Sequence, residues 1–174
     1  QLSVLNDGND LLWWSDRDGW GHFYLYDAEG NQKSQLTSGP FMAERVTKID
    51  TTGRILYFTG VGREEGEDPY FTHNYKVNFD GTGMQLLNPE SGVHSASFSE
   101  SNNYFVDNYS RIDMVPKAVV RDNKGNALME LEEINISRLE EAGWQMPEPF
   151  QTKAADGITD IYGVMWKPFD FDPE

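Results

Sequence analysis

A hairpin pattern near the start of the chain constrains the fold more than any other feature. The stretch Trp14–Asp27 reads WSDRDGWGHFYLYD, two strand-like runs joined by a turn. Asp18-Gly19 marks the turn, because glycine adopts the positive φ that tight β-turns require. After it, Phe23 and Leu25 alternate with residues that point the other way, which is the two-residue period of a strand. The pattern predicts two antiparallel strands.

The second half of this hairpin recurs twice along the chain. Each copy is a strand that ends at a turn glycine, and Gly30, Gly81 and Gly125 lie 51 and then 44 residues apart. A period of roughly 40–50 residues with about four strands per unit is typical of β-propeller blades. The sequence therefore predicts an all-β fold with about three four-stranded antiparallel blades in residues 1–133, the first without its innermost strand. Propellers close with roughly 4–8 blades, so we expect a fragment of a longer protein.

The repeat stops after residue 133. Residues 134–147 predict a short amphipathic helix that ends at Gly143, followed by a proline-containing linker. Residues 148–174 predict a β-hairpin around Asp156-Gly157. Because these strands do not continue the blade repeat, we interpret them as the first strands of a second, truncated domain.

Composition excludes several classes of function. The net charge of −15 opposes binding to nucleic acid and to anionic membrane surfaces, which both require basic surfaces. No apolar run approaches the roughly 18–20 residues that span a bilayer, so no membrane insertion is predicted. The sequence has no cysteine, which excludes disulfides, thiolate metal sites and cysteine nucleophiles.

The chain resembles a known family of serine peptidases. The likeness rests on the Trp14–Asp27 motif, on the order of the blades, and on a closing run of short motifs. That run comprises Pro147-Glu148-Pro149-Phe150, Asp156-Gly157, Tyr162-Gly163, Lys167-Pro168 and Phe171-Asp172-Pro173. With these features the chain is similar to the dipeptidyl peptidase IV branch of the prolyl oligopeptidase family, in which a β-propeller is stacked on an α/β-hydrolase domain.

This resemblance implies a role for each part of the chain. Residues 1–133 would form the last propeller blades, and residues 148–174 would enter the α/β-hydrolase domain. The propeller would gate substrate access and support the hydrolase domain. The resemblance further implies a peptide substrate, a homodimeric parent protein and a periplasmic or otherwise extracytoplasmic location.

The resemblance implies that catalysis is carried by residues outside this chain. The nucleophilic serine of the family lies in a Gly-x-Ser-x-Gly elbow, and that pattern does not occur here. The acid and the histidine follow the serine in α/β-hydrolases. We therefore expect no catalytic, cofactor-binding or metal-binding residue in this chain, and no peptidase activity from the chain alone.

The histidines and the first acidic turn have structural interpretations that we prefer. His22, His73 and His94 are each placed in a different unit or turn, so we expect solvent-facing or blade-interface side chains rather than a catalytic base. Asp16 and Asp18 resemble the start of a calcium loop, but the later glycine and glutamate of such a loop are missing. We expect both to cap the turn by accepting backbone hydrogen bonds.

An acidic run and three tryptophans are the remaining candidates for binding. The run Glu64–Asp68 could bind a cation or a basic peptide, and we interpret it as a solvated loop between strands. Trp13, Trp14 and Trp20 could stack on a sugar or a peptide proline. We favour packing between blades, because large aromatic side chains bury so much apolar area.

A second function class stays open at this point. The Ser-Asp-Arg-Asp-Gly turn also resembles the periplasmic propeller of the Tol–Pal system, which implies a non-catalytic protein-binding scaffold. Residues 144–174 favour the peptidase, because a pure propeller has no reason to leave its repeat for a linker and a new hairpin. In either case three blades expose the apolar faces of the terminal units, so we expect the isolated chain to self-associate.

Overall fold

The computed structural model describes residues 2–168 and 170–172. The described residues form three four-stranded antiparallel sheets, a short helix and a separate two-stranded sheet. Consecutive strands are neighbours within each sheet, so every connection inside a sheet is a hairpin. This arrangement confirms the predicted all-β fold, and Pro173 of the closing run lies outside the described residues.

The strands follow in simple order. The first sheet contains β1 (Leu2–Leu5), β2 (Asp10–Ser15), β3 (His22–Asp27) and β4 (Gln32–Gln35). The second contains β5 (Met42–Asp50), β6 (Ile55–Val61), β7 (Thr72–Asn78) and β8 (Gln85–Leu86). The third contains β9 (Val93–Phe98), β10 (Tyr104–Arg111), β11 (Met114–Asp122) and β12 (Ala127–Glu133). The helix α1 (Ser137–Glu141) precedes the hairpin of β13 (Glu148–Lys153) and β14 (Asp160–Met165).

The first sheet is complete, which corrects the prediction that its innermost strand is missing. Residues Leu2–Leu5 pair antiparallel with β2, in the register Leu2 with Trp13 and Leu5 with Asp10. The sequence concealed this strand because it is only four residues long, although Gly8, with φ +93°, does mark the compact 3-10 turn that connects it to β2.

Apolar side chains join the first sheet to the second. Alternate residues of β3 and β6 point into this interface, and Phe23 meets Phe58 edge to face with ring centroids 5.8 Å apart. Phe58 also stacks on Tyr75 of β7 at 5.5 Å. Such aromatic pairs prefer edge-to-face or offset geometry, and each buries a large apolar area. The interface is therefore a continuous core.

The second interface combines a small apolar core with polar contacts. Tyr57, Leu87 and Phe105 are buried there. Two lysines extend across from the second sheet to backbone carbonyls of the third: the Lys48 ammonium donates to Ser99 at 2.5 Å and the Lys76 ammonium donates to Asn123 at 2.6 Å. A hydrogen bond from a lysine ammonium to a backbone carbonyl satisfies both polar groups, and the aliphatic part of the lysine side chain covers apolar surface. Hydrogen bonds from charged lysines, as well as apolar burial, therefore hold the third sheet against the second.

The repeated turn glycines lie where neighbouring sheets approach each other. Gly81 has φ +82°, and a Cβ added there would lie 2.4 Å from the backbone oxygen of Gln35 in the first sheet. Gly125 has φ +89°, and its added Cβ would lie 2.6 Å from the oxygen of Leu87. Gly30 has a similar φ of +85° and no atom within 4 Å. At the second and third turns glycine is therefore required for two reasons, the positive φ and the close approach of a neighbouring backbone oxygen.

The region after the third sheet matches the predicted change of pattern. The helix ends shortly before Gly143, whose φ of +89° suits the position just past a helix. The hairpin turns at Asp156, which accepts hydrogen bonds from the backbone of Ile158 and Thr159 at 2.8 and 2.9 Å. Within the described residues, no helix has the length and apolarity needed to cross a membrane.

Candidate functional site

The three histidines are all buried in the fold. His22 and His73 occupy equivalent places near the start of the third strand of their sheets, and His94 lies near the start of the third sheet. Their exposed fractions are 1%, 2% and 3%. His73 and His94 face each other between the second and third sheets, with ring centroids 5.1 Å apart. Burial contradicts the solvent-facing alternative and agrees with the blade-interface one.

His22 has the partners of a neutral ring. Its Nε2 lies 3.1 Å from the backbone oxygen of Gly39, and its Nδ1 lies 3.1 Å from the hydroxyl of Thr37. That hydroxyl already accepts a hydrogen bond from the backbone of Phe23, so its own proton is available to the ring. Burial lowers the pKa of His22, which agrees with a neutral imidazole.

His73 and His94 instead lie between groups that only accept hydrogen bonds. For His73 these are the backbone oxygen of Asn88 at 2.9 Å and a carboxylate oxygen of Glu67 at 2.8 Å. For His94 they are the carboxylate of Asp107 at 2.9 Å and the backbone oxygen of Glu90 at 2.6 Å. Each of these two rings is therefore fixed by a contact at both of its nitrogens.

A buried ion cluster extends from His94 into the third sheet. Arg121 donates from Nε to Asp107 at 2.9 Å and from Nη2 to Glu90 at 2.5 Å. The side chains of Arg121 and Asp107 are 2% and 0% exposed, while that of Glu90 is 39% exposed. Asn88 adds a hydrogen bond to Asp107 at 3.2 Å. The cluster therefore joins two strands of the third sheet to the segment that enters it.

Charge and hydrogen bonding prevail over burial in this cluster. Burial alone would raise the pKa of Asp107, but the hydrogen bonds and positive charge of His94, with Asn88 and Arg121, hold that pKa below its usual value. Burial opposes the charged form of Arg121, and the adjacent carboxylates of Glu90 and Asp107 nevertheless raise its pKa. Both groups are ionised, and their mutual attraction and hydrogen bonds offset the cost of removing the two charges from water.

Sequence reasoning missed this cluster, although a signal was present. Phe105 and Asp107 share one face of β10, and Val119 and Arg121 share one face of β11. A carboxylate and a guanidinium therefore occupy core-facing positions of adjacent strands, and Phe105 pairs directly with Arg121. Opposite charges on the buried face of neighbouring strands predict an internal ion pair.

The acidic run is partly bound to the fold rather than wholly solvated. It lies in residues 62–71, the loop between β6 and β7, hereafter the 62–71 loop. Glu64 accepts a hydrogen bond from the hydroxyl of Tyr75 at 3.0 Å, and Glu67 contacts His73. Burial, followed by the charge of Glu64, raises the pKa of Tyr75. Glu65 is exposed, so the prediction of solvation holds for that residue.

The 62–71 loop forms one wall of a cleft of about 680 Å³. The turn between β10 and β11 forms the second wall, and the β13–β14 hairpin forms the third. Tyr70 of the loop meets Tyr162 of the hairpin edge to face, with ring centroids 6.5 Å apart. Arg111 and Asp113 pair in the cleft through two hydrogen bonds of 2.8 and 2.9 Å. The cleft therefore has aromatic, acidic and basic groups at its surface.

The first turn and its tryptophans differ in part from the predictions. Asp18 does not cap the turn backbone, because its carboxylate accepts from the Tyr24 hydroxyl at 2.7 Å and from the Gln35 amide at 2.8 Å. Asp16 contributes its backbone oxygen, which accepts from Gly19. Trp14 packs between sheets as expected and donates to the oxygen of Ala43 at 2.6 Å.

The other two tryptophans do not pack between the sheets. Trp13 and Trp20 are 43% and 46% exposed. Trp13 lies on the face of the first sheet opposite its core, because it pairs with Leu2 and alternates with the buried Leu12. The prediction of packing is therefore wrong for these two residues within the present chain.

Two arrangements among the described residues bear on metal binding and catalysis. Among them, no group of three histidine, cysteine or acidic side chains has an arrangement that could hold a metal ion. The buried His94–Asp107 pair resembles the base and orienting acid of a catalytic triad, but Nε2 of His94 is engaged by the oxygen of Glu90 rather than directed at a nucleophile. The contacts of the cluster therefore link the strands of the third sheet to residues 88–90.

Comparison with known proteins places this architecture in a family. The family described as the dipeptidyl peptidase IV (DPP IV) N-terminal region matches residues 1–116, two thirds of the chain. Dipeptidyl peptidase 4 of Arthroderma otae is 33% identical over 97 residues, which cover 55% of this chain and 12% of that protein. Dipeptidyl peptidase 4 of Trichophyton equinum is 32% identical over 113 residues, which cover 62% of this chain and 14% of that protein.

Solved structures agree over nearly the whole chain. Dipeptidyl peptidase 4 of Porphyromonas gingivalis superposes with a TM-score of 0.77 at 24% identity, covering 99% of this chain and 24% of that one. A Bacteroides ovatus protein assigned as a dipeptidyl aminopeptidase IV superposes with a TM-score of 0.74 at 26% identity, covering 99% and 27%. The chain thus spans only about a quarter of these neighbours. It belongs to the family of dipeptidyl peptidase IV N-terminal regions.

Proposed function

We propose that this chain is the propeller-to-hydrolase junction of a dipeptidyl-peptidase-IV-like serine peptidase. In this proposal residues 1–133 belong to the propeller, residues 134–147 connect the domains, and residues 148–174 begin the α/β-hydrolase domain. The propeller part supports the hydrolase domain and gates the access of peptide substrates. Peptide-bond hydrolysis by acyl transfer is carried by a serine, an acid and a histidine outside this chain.

One observation carries the proposal. The β13–β14 hairpin forms a sheet of its own, outside the four-stranded repeat, and the likeness to two peptidase structures nevertheless extends over 99% of the chain. A scaffold made only of blades would have no counterpart for this hairpin. The hairpin also forms a wall of the cleft with loops of the second and third sheets, which is the arrangement expected at a junction between two domains.

The proposal is tested on the full-length protein that contains the chain. We expect a Gly-x-Ser-x-Gly elbow beyond Glu174, covalent labelling of its serine by a fluorophosphonate, and release of p-nitroaniline from dipeptidyl p-nitroanilides. Replacing that serine by alanine should abolish labelling and hydrolysis without changing the fold. The chain alone should remain unlabelled.

Two outcomes would refute the proposal. A full-length protein that continues into further blades without the elbow would instead be a protein-binding scaffold of the Tol–Pal kind. Labelling of the isolated chain would show that catalysis resides within it. The gating role is tested separately by comparing short and long peptides: widening the cleft at Tyr70, as in Tyr70→Ala, should raise kcat/KM more for long peptides than for dipeptidyl p-nitroanilides.

A further inference from the structure

Three arginines of this chain are bound within the fold by the same two kinds of group. Each guanidinium lies over an aromatic ring, with its carbon 4.3, 5.1 or 5.4 Å from the ring centroid, and a carboxylate contacts the guanidinium or the hydroxyl of that ring. In chain order, the sets are Arg17 with Tyr24 and Asp18, Arg54 with Phe79 and Asp10, and Arg63 with Tyr75 and Glu64. A planar guanidinium stacks on the face of a ring while its N–H groups donate to a carboxylate.

The cleft beside the 62–71 loop carries the same two kinds of group. Tyr70 is 74% exposed there, so most of its ring surface remains open although it contacts Tyr162 edge to face. Asp68 accepts a hydrogen bond from the backbone of Tyr70 at 2.9 Å, which fixes the carboxylate next to this tyrosine. Among the described residues, the second oxygen of this carboxylate has no partner and no guanidinium lies over the Tyr70 ring.

Phe150 adds a second aromatic surface to the cleft. It pairs with Gly163 across the hairpin, and a Cβ added at Gly163 would lie 2.4 Å from the Phe150 ring. The ring therefore lies over the backbone of the glycine, and it remains 45% exposed where both residues line the cleft. This ring offers apolar surface to whatever binds beside Tyr70.

The charged groups that line the cleft favour a cation. Glu67, Asp68 and Asp113 contribute three carboxylates, and Arg111 contributes one guanidinium. Arg111 donates two hydrogen bonds to Asp113, so these two charges balance each other and the excess is negative. The cleft volume of about 680 Å³ lies within the range of roughly 300–1,000 Å³ that is usual for ligand pockets, so a short peptide can enter.

We propose that this cleft binds a peptide through an arginine side chain. The guanidinium stacks on the ring of Tyr70 and donates to the second oxygen of Asp68, and the neighbouring peptide residues cover Phe150. Arginine suits the site better than lysine, because an ammonium has neither the flat face nor the fork of donors. This binding requires no peptidase activity, so the inference goes beyond the proposed function.

Titration of the full-length protein with two peptides tests the inference. The peptides are acetyl-Gly-Arg-Gly-amide and the same peptide with citrulline in place of arginine, and Kd is measured by ligand-observed NMR. Both have blocked ends, and citrulline has nearly the shape of arginine without its charge. We expect the arginine peptide to bind at least about tenfold more tightly, because the charge supports both the stacking and the hydrogen bond.

Asp68→Asn and Glu65→Gln form a matched pair of variants, because each removes one negative charge from the 62–71 loop. The new asparagine can still accept from the backbone of Tyr70, so the loop keeps its turn. Glu65 is exposed and does not line the cleft. We expect Asp68→Asn to weaken binding of the arginine peptide about tenfold and Glu65→Gln to weaken it less than about twofold.

Three results would overturn the proposal. Equal affinities for the two peptides, measured on the native protein alone, would mean that the guanidinium is not recognised. Equal weakening by the two variants would mean that the peptide responds only to the overall negative charge. A full-length protein that binds neither peptide would mean that another part of the protein occupies the cleft.

Discussion

Replacing the buried Arg121 and a matched surface arginine shows how much burial adds to the loss of stability when an ion pair is broken. Arg121 donates three hydrogen bonds, to Asp107, to Glu90 and to the backbone oxygen of Gly125, and it is 1% exposed. Arg121→Ala would leave the buried Asp107 carboxylate with fewer partners. Removing one member of a buried pair costs about 3–5 kcal/mol, because the remaining charge stays desolvated.

Arg111→Ala is the control, because Arg111 lies in the same sheet and also pairs with an aspartate. Its guanidinium donates two hydrogen bonds to the Asp113 carboxylate, from Nε and from Nη2, but its side chain is 34% exposed. A surface pair contributes about 0–1 kcal/mol. For a chain of this size, each kcal/mol corresponds to roughly 2–4 °C in Tm.

Urea and thermal unfolding of the two variants provide the assay. We expect Arg121→Ala to lower the Tm by about 6–20 °C and Arg111→Ala by less than about 4 °C. Circular dichroism at 20 °C should show that both retain the native strand content. Equal losses for the two variants would refute the reasoning, since they would mean that burial adds nothing to the cost of breaking the pair.

The same cluster predicts the response to acid. Burial would raise the pKa of Asp107, but its hydrogen bonds, first that of His94, hold it below the usual value of 3.8. A carboxylate with a lowered pKa stabilises the fold above its unfolded pKa, and this stabilisation is lost as pH falls through the lower folded value. The native chain should therefore retain this contribution until pH falls below 3.8. Arg121→Ala should lose it at a higher pH, and the free energy of unfolding measured in urea over a series of acidic pH values will check this.

The remaining predictions concern backbone contacts and exposed faces. Gly81→Ala should destabilise the chain by at least about 2 kcal/mol more than Gly30→Ala in urea unfolding, because the new Cβ meets a neighbouring carbonyl at one position and open space at the other; equal costs would contradict this. Trp14→Phe should cost about 1–2 kcal/mol through the unpaired oxygen of Ala43, whereas Trp13→Phe should cost under about 0.5 kcal/mol in the same assay. The isolated chain should self-associate, and light scattering that detects a strict monomer would contradict the predicted exposure of its terminal faces.

The sequence predicted what local chemistry encodes. Gly30, Gly81 and Gly125 mark turns because their positive φ is a property of a few neighbouring residues, and the two-residue alternation after each turn encodes a strand. The hairpin at Asp156 was predicted for the same reason. Secondary structure of this kind requires no knowledge of what packs against it.

Contacts between distant residues lay beyond local patterns. Arg121 reaches Glu90 across 31 positions and Asp107 across 14, so no short motif contains the cluster. The exposed Trp13 was misassigned because its environment depends on which face of the first sheet is covered. Burial of the histidines likewise follows from the approach of two sheets, which the spacing of the turns alone does not define.

The turn glycines bear on how further units could be added to a protein of this kind. The oxygen of Gln35 occupies the space left open by Gly81, and the oxygen of Leu87 occupies the space left open by Gly125. The second unit therefore supplies both a carbonyl for the turn of its successor and a turn with room for the carbonyl of its predecessor. A further unit with the same two features would make this contact with each neighbour, whereas a side chain gained at one of these turns would clash with the backbone of the adjoining unit rather than with its own.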